Sequence, residues 1–295
     1  MRLPAAVEDA LENAFWRLAG FAHTRPAFFT AASISVVSAL ALLPAAVRSY
    51  RGYLAMGPGG IPYNVWGWLL QGLAQPFALR DPRDTRAFEK PAPHVVARYG
   101  GSARAQRSYL DIDTTLPARR GPRPTVPGYT APQRQTTETG SDPVAMRAEQ
   151  EAFLRAVAAA NPDDLEIRPS RLEGNATPAL WAKRALQLGA AYWGAADNAR
   201  TLRRRGPVEI CHAHAEASAH MQFSLGDAFL VVRAGWGERH LLAGSPAARL
   251  PPTYLIVYAP RDAAELKVWK ELVMAAVRFA VDEDVDVNDV NDVEM

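Results

Sequence analysis

The sequence predicts an α+β fold, in which a small antiparallel sheet packs against helices and an N-terminal transmembrane helix precedes them. Two segments, 208–215 and 219–225, alternate apolar and polar residues with the period of half-buried strands, and 253–259 suits a buried strand. Residues 27–47 form 21 consecutive positions without a charge. As a helix this run would span about 30 Å, the thickness of a bilayer core.

Helical patterns flank the predicted strands. Residues 145–159 carry their large apolar side chains at helical spacing. After the last strand, Asp262 is a suitable N-cap for a closing helix, with Glu265 three positions later. Residues 164–168 and 179–188 fit a strand or a short helix equally well.

The uncharged run has three interpretations: a membrane anchor, a buried core helix or a cleaved signal peptide. A signal peptide would begin closer to Met1, and here 26 residues, several of them acidic, precede the run. Arg48 and Arg51 follow it, which favours a cytosolic C-terminal domain. We therefore expect a single-pass protein of the endoplasmic reticulum or another endomembrane, in contact with lipid.

A second apolar segment, 61–77, reads as a short helix bounded by Pro62 and Pro76. Its Trp66 and Trp68 are typical of a helix at a membrane surface. The same residues would also suit a helix that packs on the globular domain, and the sequence does not decide between the two.

The composition is that of a folded protein with a basic body and an acidic end. Hydrophobic residues make up 48% and charged residues 22%, which excludes a chain that is disordered throughout. The net charge of +2 gives no reason to expect nucleic-acid binding. Cys211 is the one cysteine, so no intramolecular disulfide can form.

These patterns divide the chain into five parts. Residues 91–143 are rich in Pro, Gly, Thr and Arg, which by composition alone is typical of a linker. The predicted parts are an N-terminal segment 1–26, an anchor 27–47, a membrane-proximal helical segment 48–90, an α+β domain 91–281 and an acidic disordered tail 282–295.

Chemistry concentrates around four of the six histidines, which fall between positions 212 and 240. His212 and His214 project to the same face of a strand, and His220 could return beside them across a hairpin. With Glu216 the three imidazoles could hold Zn²⁺ or Fe²⁺. The cluster could equally be a metal-free acid–base site or a structural polar layer.

The segment 235–240, Gly-Trp-Gly-Glu-Arg-His, adds further candidate binding residues. Trp236 offers a flat apolar wall for an aromatic ligand, and Arg239 could hold an enolate or a carboxylate. Alternatively, this segment is a turn that connects two strands, and its tryptophan belongs to the core. Cys211 alternates with His212, so a buried structural role suits it better than a nucleophilic one.

Taken together, several motifs of this chain resemble the fungal luciferase family. They are Glu209-Ile-Cys-His-Ala-His214, Ser218-Ala-His220, Gly235-Trp-Gly-Glu-Arg-His240 and Tyr258-Ala-Pro-Arg261, with Gln133-Arg134-Gln135 and Met56-Gly57-Pro58 upstream. The resemblance covers about residues 27–280. It implies that 91–143 belongs to the domain, and it strengthens the prediction of a membrane anchor.

The luminous members of that family oxidise 3-hydroxyhispidin, a styryl-pyrone, with O₂, and no metal or organic cofactor is attributed to the reaction. The resemblance therefore implies an O₂-dependent enzyme that acts on a small aromatic metabolite without a cofactor. Many relatives come from fungi that do not glow, so the fold and the site are implied more firmly than light.

One mechanism would use His212 or His214 as the base that removes an enolic proton, with His220 and His240 orienting it or protonating an oxygen. Arg239 or Arg134 would stabilise the enolate, Trp236 would stack on the ring, and the resemblance adds Tyr258 and Arg261 to the binding residues. Two alternatives remain. One is a metal-dependent enzyme that uses His212, His214, His220 and Glu216, and the other is a membrane-tethered binding protein without turnover.

Overall fold

The computed structural model describes residues 5–90, 103–110, 116–183, 207–245 and 250–281. The chain divides into two compact units, residues 1–55 and residues 56–295. The predicted acidic tail, 282–295, lies outside the described residues, as does the end of the undecided segment 179–188.

The first unit consists of two helices, α1 (Ala5–Thr24) and α2 (Pro26–Ala55). Helix α2 contains the uncharged run. Its most apolar stretch has a mean hydropathy of 1.9, and none of that stretch is buried. Among the described residues it is the helix long and apolar enough to cross a membrane, by length and composition only. Signal sequences and core helices can have the same length and composition, but a core helix would be buried.

The second unit contains the α+β fold. In the described parts of this unit the helices are α3 (Val65–Ala74), α4 (Arg86–Glu89), α5 (Ala103–Gln106), α6 (Pro143–Ala160), α7 (Leu225–Arg233) and α8 (Ala263–Ala280), and a 3₁₀ turn (Gln75–Phe77) follows α3. Its strands are β1 (Leu165–Ser170), β2 (Gly174–Ala182), β3 (Val208–Ala213), β4 (Ala219–Gln222), β5 (Gly237–Arg239) and β6 (Tyr254–Val257).

The strands form one antiparallel sheet in the order β1-β2-β3-β4-β6-β5. This confirms the predicted α+β class with an antiparallel sheet. The two undecided segments are the hairpin β1–β2. Helix α7 was not predicted from the sequence; it begins after Ser224, whose side chain caps it by accepting a hydrogen bond from the Asp227 amide.

The two faces of the sheet have different chemistry, because successive side chains of a strand point to opposite sides. Cys211 and Met221 pair across β3 and β4, and both are fully buried in the hydrophobic core with side chains of α6 and α8. The next pair, His212 and His220, therefore lies on the other face. The predicted structural role of Cys211 agrees with this burial.

Irregular chain, not a helix, lies against the histidine face. Residues 116–142 contain no helix or strand, yet Thr130, Gln133, Arg134 and Gln135 are all buried. Their burial shows that this segment packs into the unit, whereas its composition alone had indicated a linker. Gly60, from the chain before α3, reaches the β1–β2 turn, where a Cβ at this position would lie 1.7 Å from the Leu172 carbonyl oxygen.

We expect Gly60→Ala to destabilise the second unit, because the added methyl group meets backbone atoms that cannot rotate away. The chain before α3 must then separate from the β1–β2 turn. A lower thermal unfolding midpoint of the full-length protein in detergent would report this separation.

Gly72→Ala is the matched control. Gly72 lies within α3 and nothing would contact an added Cβ within 4 Å, so alanine should stabilise the helix by about 0.5–1 kcal/mol. Equal melting of the two variants would contradict the close approach at Gly60.

Candidate functional site

Four histidine side chains meet on the polar face of the sheet. The ring of His220 lies 5.4 Å from that of His212, 4.7 Å from that of His214 and 5.2 Å from that of His240, between centroids. All four side chains are buried. The position of His220 beside His212 and His214 agrees with the return across a hairpin that the sequence suggested, whereas the approach of His240 was not predicted.

The β3–β4 hairpin explains this convergence. His212 stands directly opposite His220 in the ladder, and beyond the end of β3 the His214 amide donates to the Ser218 carbonyl at 2.7 Å. The turn between them closes through Ala217, which has a φ of 69°. Few residues other than glycine adopt this conformation, so the turn is a locally strained element held by its surroundings.

A β-bulge adds Glu209 to the same face. Along β3 the register shifts so that Cys211 pairs with Leu180 but Glu209 already pairs with the next residue of β2. The extra residue, Ile210, turns Glu209 and His212 to one side, although three positions separate them. The Glu209 carboxylate consequently accepts a hydrogen bond from Nδ1 of His212 at 2.6 Å.

Glu173, in the turn between β1 and β2, brings a second carboxylate to the histidines. Its Oε1 lies 3.7 Å from Nε2 of His212 and 3.5 Å from Nε2 of His214. Arg134 pairs with both of its oxygens, and the Ser170 hydroxyl accepts a hydrogen bond from the Glu173 amide at 3.0 Å. The carboxylate is thus fixed from two sides.

Three of the imidazoles are engaged at Nδ1 by an acceptor on their outer side. His212 donates to Glu209, and His220 donates to the Leu255 carbonyl at 3.2 Å. His214 lies 2.8 Å from the Ser218 hydroxyl, which itself donates to Glu216 at 2.5 Å. These bonds assign the proton of each neutral ring to Nδ1 and leave Nε2 with its lone pair.

His240 has the opposite orientation. Its Nδ1 accepts a hydrogen bond from the Leu242 amide at 3.1 Å, so the neutral ring must carry its proton on Nε2. His240, which lines the cavity described below, is therefore a hydrogen-bond donor at Nε2, whereas the neutral forms of the other three imidazoles present an acceptor there.

Burial and neighbouring charges separate the pKa values of these rings. Burial lowers the pKa of His212, but the carboxylates of Glu173 and Glu209 outweigh it and raise that pKa to about 9. Burial holds the pKa of His220 well below its usual value and lowers that of His240 to about 3. Burial and Arg134 also lower the pKa of His214.

A cavity of about 230 Å³ adjoins the cluster, somewhat smaller than ligand pockets of about 300–1,000 Å³. Its lining includes His220, His240, Tyr254, Glu173 and Gln133. The Tyr254 ring stacks on His220 at 4.9 Å between centroids. Gln133 is 1% exposed, and neither polar atom of its amide has a hydrogen-bond partner among the described residues.

Of the five predicted binding residues, Arg134 reaches the histidines, and the other four have partners elsewhere. Trp236 donates from Nε1 to the Pro117 carbonyl at 2.6 Å, and the Tyr258 hydroxyl donates to Glu238 at 2.8 Å. Arg261 pairs with Glu265. Arg239 donates to the carbonyls of Ala243 and Pro252. Their roles in binding stay predictions.

Sequence reasoning missed Glu173, Gln133 and Tyr254. No sequence pattern around Glu173 indicated a site residue. It precedes His212 by 39 positions, and only the pairing of strands in the sheet brings the two together. Gln133 was visible within the Gln-Arg-Gln motif, of which Arg134 alone was selected. Tyr254 provides the aromatic wall that the sequence suggested for Trp236.

Comparisons with known proteins identify relatives of this chain. The family model described as Luciferase domain matches residues 207–276, from β3 into α8. The chain is 28% identical to "Luciferase" of Armillaria ostoyae over 255 residues, which cover 84% of this chain and 85% of that protein. It is 27% identical to "Luciferase" of Neonothopanus nambi, over 83% of this chain and 85% of that protein. No solved structure matches the chain at a significant level.

We expect Glu209→Ala to destabilise the protein by about 2–4 kcal/mol, because it removes an acceptor from His212, from Ser170 and from the Arg171 amide. The thermal unfolding midpoint should fall by about 5–10 °C.

Glu151→Ala is the control for Glu209→Ala. Among the described residues Glu151 pairs with Arg147 and Arg155 along α6, and such pairs within one helix are worth less than about 1 kcal/mol. If both variants melted at the same temperature, Glu209 would not hold the site together.

Proposed function

Because the chain belongs to the fungal luciferase family, we propose that it is a luciferase-like oxygenase that oxidises an electron-rich aromatic enol with O₂. One observation carries the proposal. The matched domain, residues 207–276, contains all four clustered histidines together with Tyr254 beside the cavity. The four clustered histidines thus lie in the segment that the luciferase domain model matches.

The proposed reaction draws both electrons from the substrate. Removal of the enolic proton gives an enolate, whose nucleophilic carbon forms a bond to one oxygen atom of O₂. The carbon is oxidised, O₂ is reduced by two electrons, and the proton returns to the terminal oxygen to give a hydroperoxide. Base catalysis of the first step contributes typically 10²–10⁴-fold.

The histidines suit different steps of this reaction. His220 lines the cavity, and its Nε2 atom carries a lone pair that can accept the enolic proton. His214 is not among the lining residues, but its ring lies 4.7 Å from that of His220, between centroids, and carries a second Nε2 lone pair. His212, between two carboxylates, is charged at neutral pH and is the better proton donor. Nε2–H of His240 can donate to the developing peroxide oxygen, and Arg134 contributes positive charge behind Glu173.

The cavity supports a flat, polar aromatic substrate such as a 3-hydroxyhispidin-like pyrone. Tyr254 provides an aromatic wall. The buried amide of Gln133 offers a donor to a carbonyl or ring oxygen and an acceptor to a hydroxyl group. Because a buried amide without a partner costs about 1–3 kcal/mol, a ligand that pairs with it recovers this energy on binding.

We also propose that the protein is a single-pass membrane protein of an endomembrane with its second unit in the cytosol. Helix α2 is apolar, and none of its most apolar stretch is buried within the protein. Arg48 and Arg51 lie toward its C-terminal end. Helix α3 supports lipid contact as well, because Trp66 is 68% and Leu73 is 73% exposed. Both side chains would be sheltered from water at a bilayer surface.

We expect full-length protein in detergent to consume O₂ when it is mixed with 3-hydroxyhispidin in air. Photons, O₂ uptake and product mass should be followed together. Light with O₂ uptake identifies a luciferase, and uptake without light identifies a dark oxygenase of the same chemistry. Binding of the compound without O₂ uptake would contradict turnover and favour a binding protein.

Substitutions of cavity-lining residues test which side chains recognise the substrate in this assay. Gln133→Leu keeps the approximate volume but removes the amide, and should raise KM by about three- to tenfold. His240→Ala should lower kcat, since it removes the cavity-facing donor. His23→Ala, on exposed α1, is the matched control and should leave both constants unchanged. Wild-type KM in Gln133→Leu would exclude the amide from recognition.

We expect the double variant Val36→Arg and Leu40→Arg to be released from membranes by alkaline extraction, because each charge costs about 2.5–3.5 kcal/mol at the centre of a span. Val144→Arg, at an exposed position of α6, is the control and should stay bound. Protease added to sealed vesicles should digest the second unit, and protection would contradict the cytosolic orientation.

A further inference from the structure

We propose that His212, His214, His220 and Glu173 bind one divalent transition-metal ion. Their ligand atoms all lie within 4.8 Å of one another. The inference does not depend on the proposed reaction, because it concerns what the four side chains can hold. The family resemblance implied a reaction without a metal, and the arrangement of these side chains favours the other alternative.

The spacing of the ligand atoms fits one ion. Glu173 Oε1 lies 3.7 Å from His212 Nε2 and 3.5 Å from His214 Nε2. Two ligand atoms on a tetrahedral zinc ion, at about 2.0–2.1 Å from it, lie about 3.3 Å apart. Binding requires movements of only a few tenths of an ångström for these two pairs. The other ligand atoms lie within 4.8 Å of one another, so the most widely separated would close by up to about 1.5 Å.

The outer hydrogen bonds prepare the imidazoles for a metal. The Nδ1 atoms of His212, His214 and His220 face Glu209, Ser218 and the Leu255 carbonyl, the arrangement that metal-ligating histidines commonly have. Nε2 of His212 and Nε2 of His214 are buried, and the described residues offer neither a hydrogen-bond partner. Orphaned buried polar atoms are rare in proteins, and a metal ion would satisfy both.

Charge supports a cation at this place. Among the described residues around the imidazoles, the carboxylates of Glu173, Glu209 and Glu216 are largely buried. The one buried guanidinium beside them is Arg134. Buried charges without compensation are costly, and with all the imidazoles neutral a divalent ion would balance the two remaining negative charges.

The ligand set of three imidazoles and one carboxylate indicates which ions the site would bind. Such nitrogen-rich sites suit Zn²⁺ and Fe²⁺, whereas Ca²⁺ and Mg²⁺ prefer oxygen ligands. The carboxylate is Glu173 and not Glu216, which the sequence suggested, because Glu216 accepts from Ser218 and lies on the Nδ1 side of His214. An ion here could also stabilise an enolate oxygen in the adjoining cavity.

The test measures metal directly in full-length protein in detergent. The chelator-treated protein is dialysed against Zn²⁺, or against Fe²⁺ without oxygen, and its metal content is determined by emission spectrometry. We expect about one ion per chain in wild type and a higher thermal unfolding midpoint with metal than without it.

Matched variants assign the ligands. His214→Ala and Glu173→Gln should reduce the bound metal by at least about tenfold at limiting metal, since each removes a ligand. His23→Ala should bind as wild type does, and so should His240→Ala, whose Nδ1 accepts from the Leu242 amide. X-ray absorption spectroscopy of metal-loaded wild type should show mainly nitrogen atoms in the coordination shell of the metal. This measurement does not depend on whether the variants fold.

The proposal is overturned if wild type binds neither ion, or if His23→Ala loses the metal as completely as His214→Ala does. Retention of the ion in both Glu173→Gln and His214→Ala also overturns it. Neither result bears on O₂ uptake. The proposed function fails separately, when metal-loaded and metal-free wild type both leave 3-hydroxyhispidin and O₂ unchanged.

Discussion

The Glu209 carboxylate is the contact on which the rest of the site depends. It accepts from His212, from the Ser170 hydroxyl and from the Arg171 amide, and so ties the β1–β2 turn to β3. Ser170 in turn accepts from the Glu173 amide, which sets the second carboxylate opposite the imidazoles. A buried carboxylate needs this many donors to offset its desolvation, and the same donors that stabilise it fix the geometry around the histidines.

Local patterns were sufficient to predict the hairpin and its closing helix. The two-residue spacing of His212 and His214 has the period of a strand, so their common face follows directly from backbone geometry. The spacing to His220 suits a short turn, and the pairing of His212 with His220 agrees with it. Asp262 accepts from the Glu265 amide at 2.8 Å, as expected of an N-cap at the start of α8.

The remaining parts of the site depend on contacts between distant segments, which no local pattern carries. The bulge at Ile210 turns Glu209 toward His212, and only the pairing with β2 reveals it. Glu173 reaches the cluster because β1 and β2 form the edge of the same sheet. Trp236 was expected to face a ligand, but a buried indole needs an acceptor, and the Pro117 carbonyl supplies it within the protein.

The buried carboxylates beside the histidines need compensating positive charge. This requirement connects the proposed oxygenase reaction with the proposed metal site. With no ion bound, a proton on His212 offsets part of the negative charge of Glu173 and Glu209, as the raised pKa of His212 indicates. A divalent ion would replace that proton and leave all three ligating rings neutral. The hydrogen bonds at Nδ1 are compatible with both states, because Nδ1 is protonated in each. His240 keeps its donor at Nε2 in either case. The ion would occupy the lone pairs of His214 and His220, so it would replace them as bases and would compensate the enolate charge in place of the His212 imidazolium.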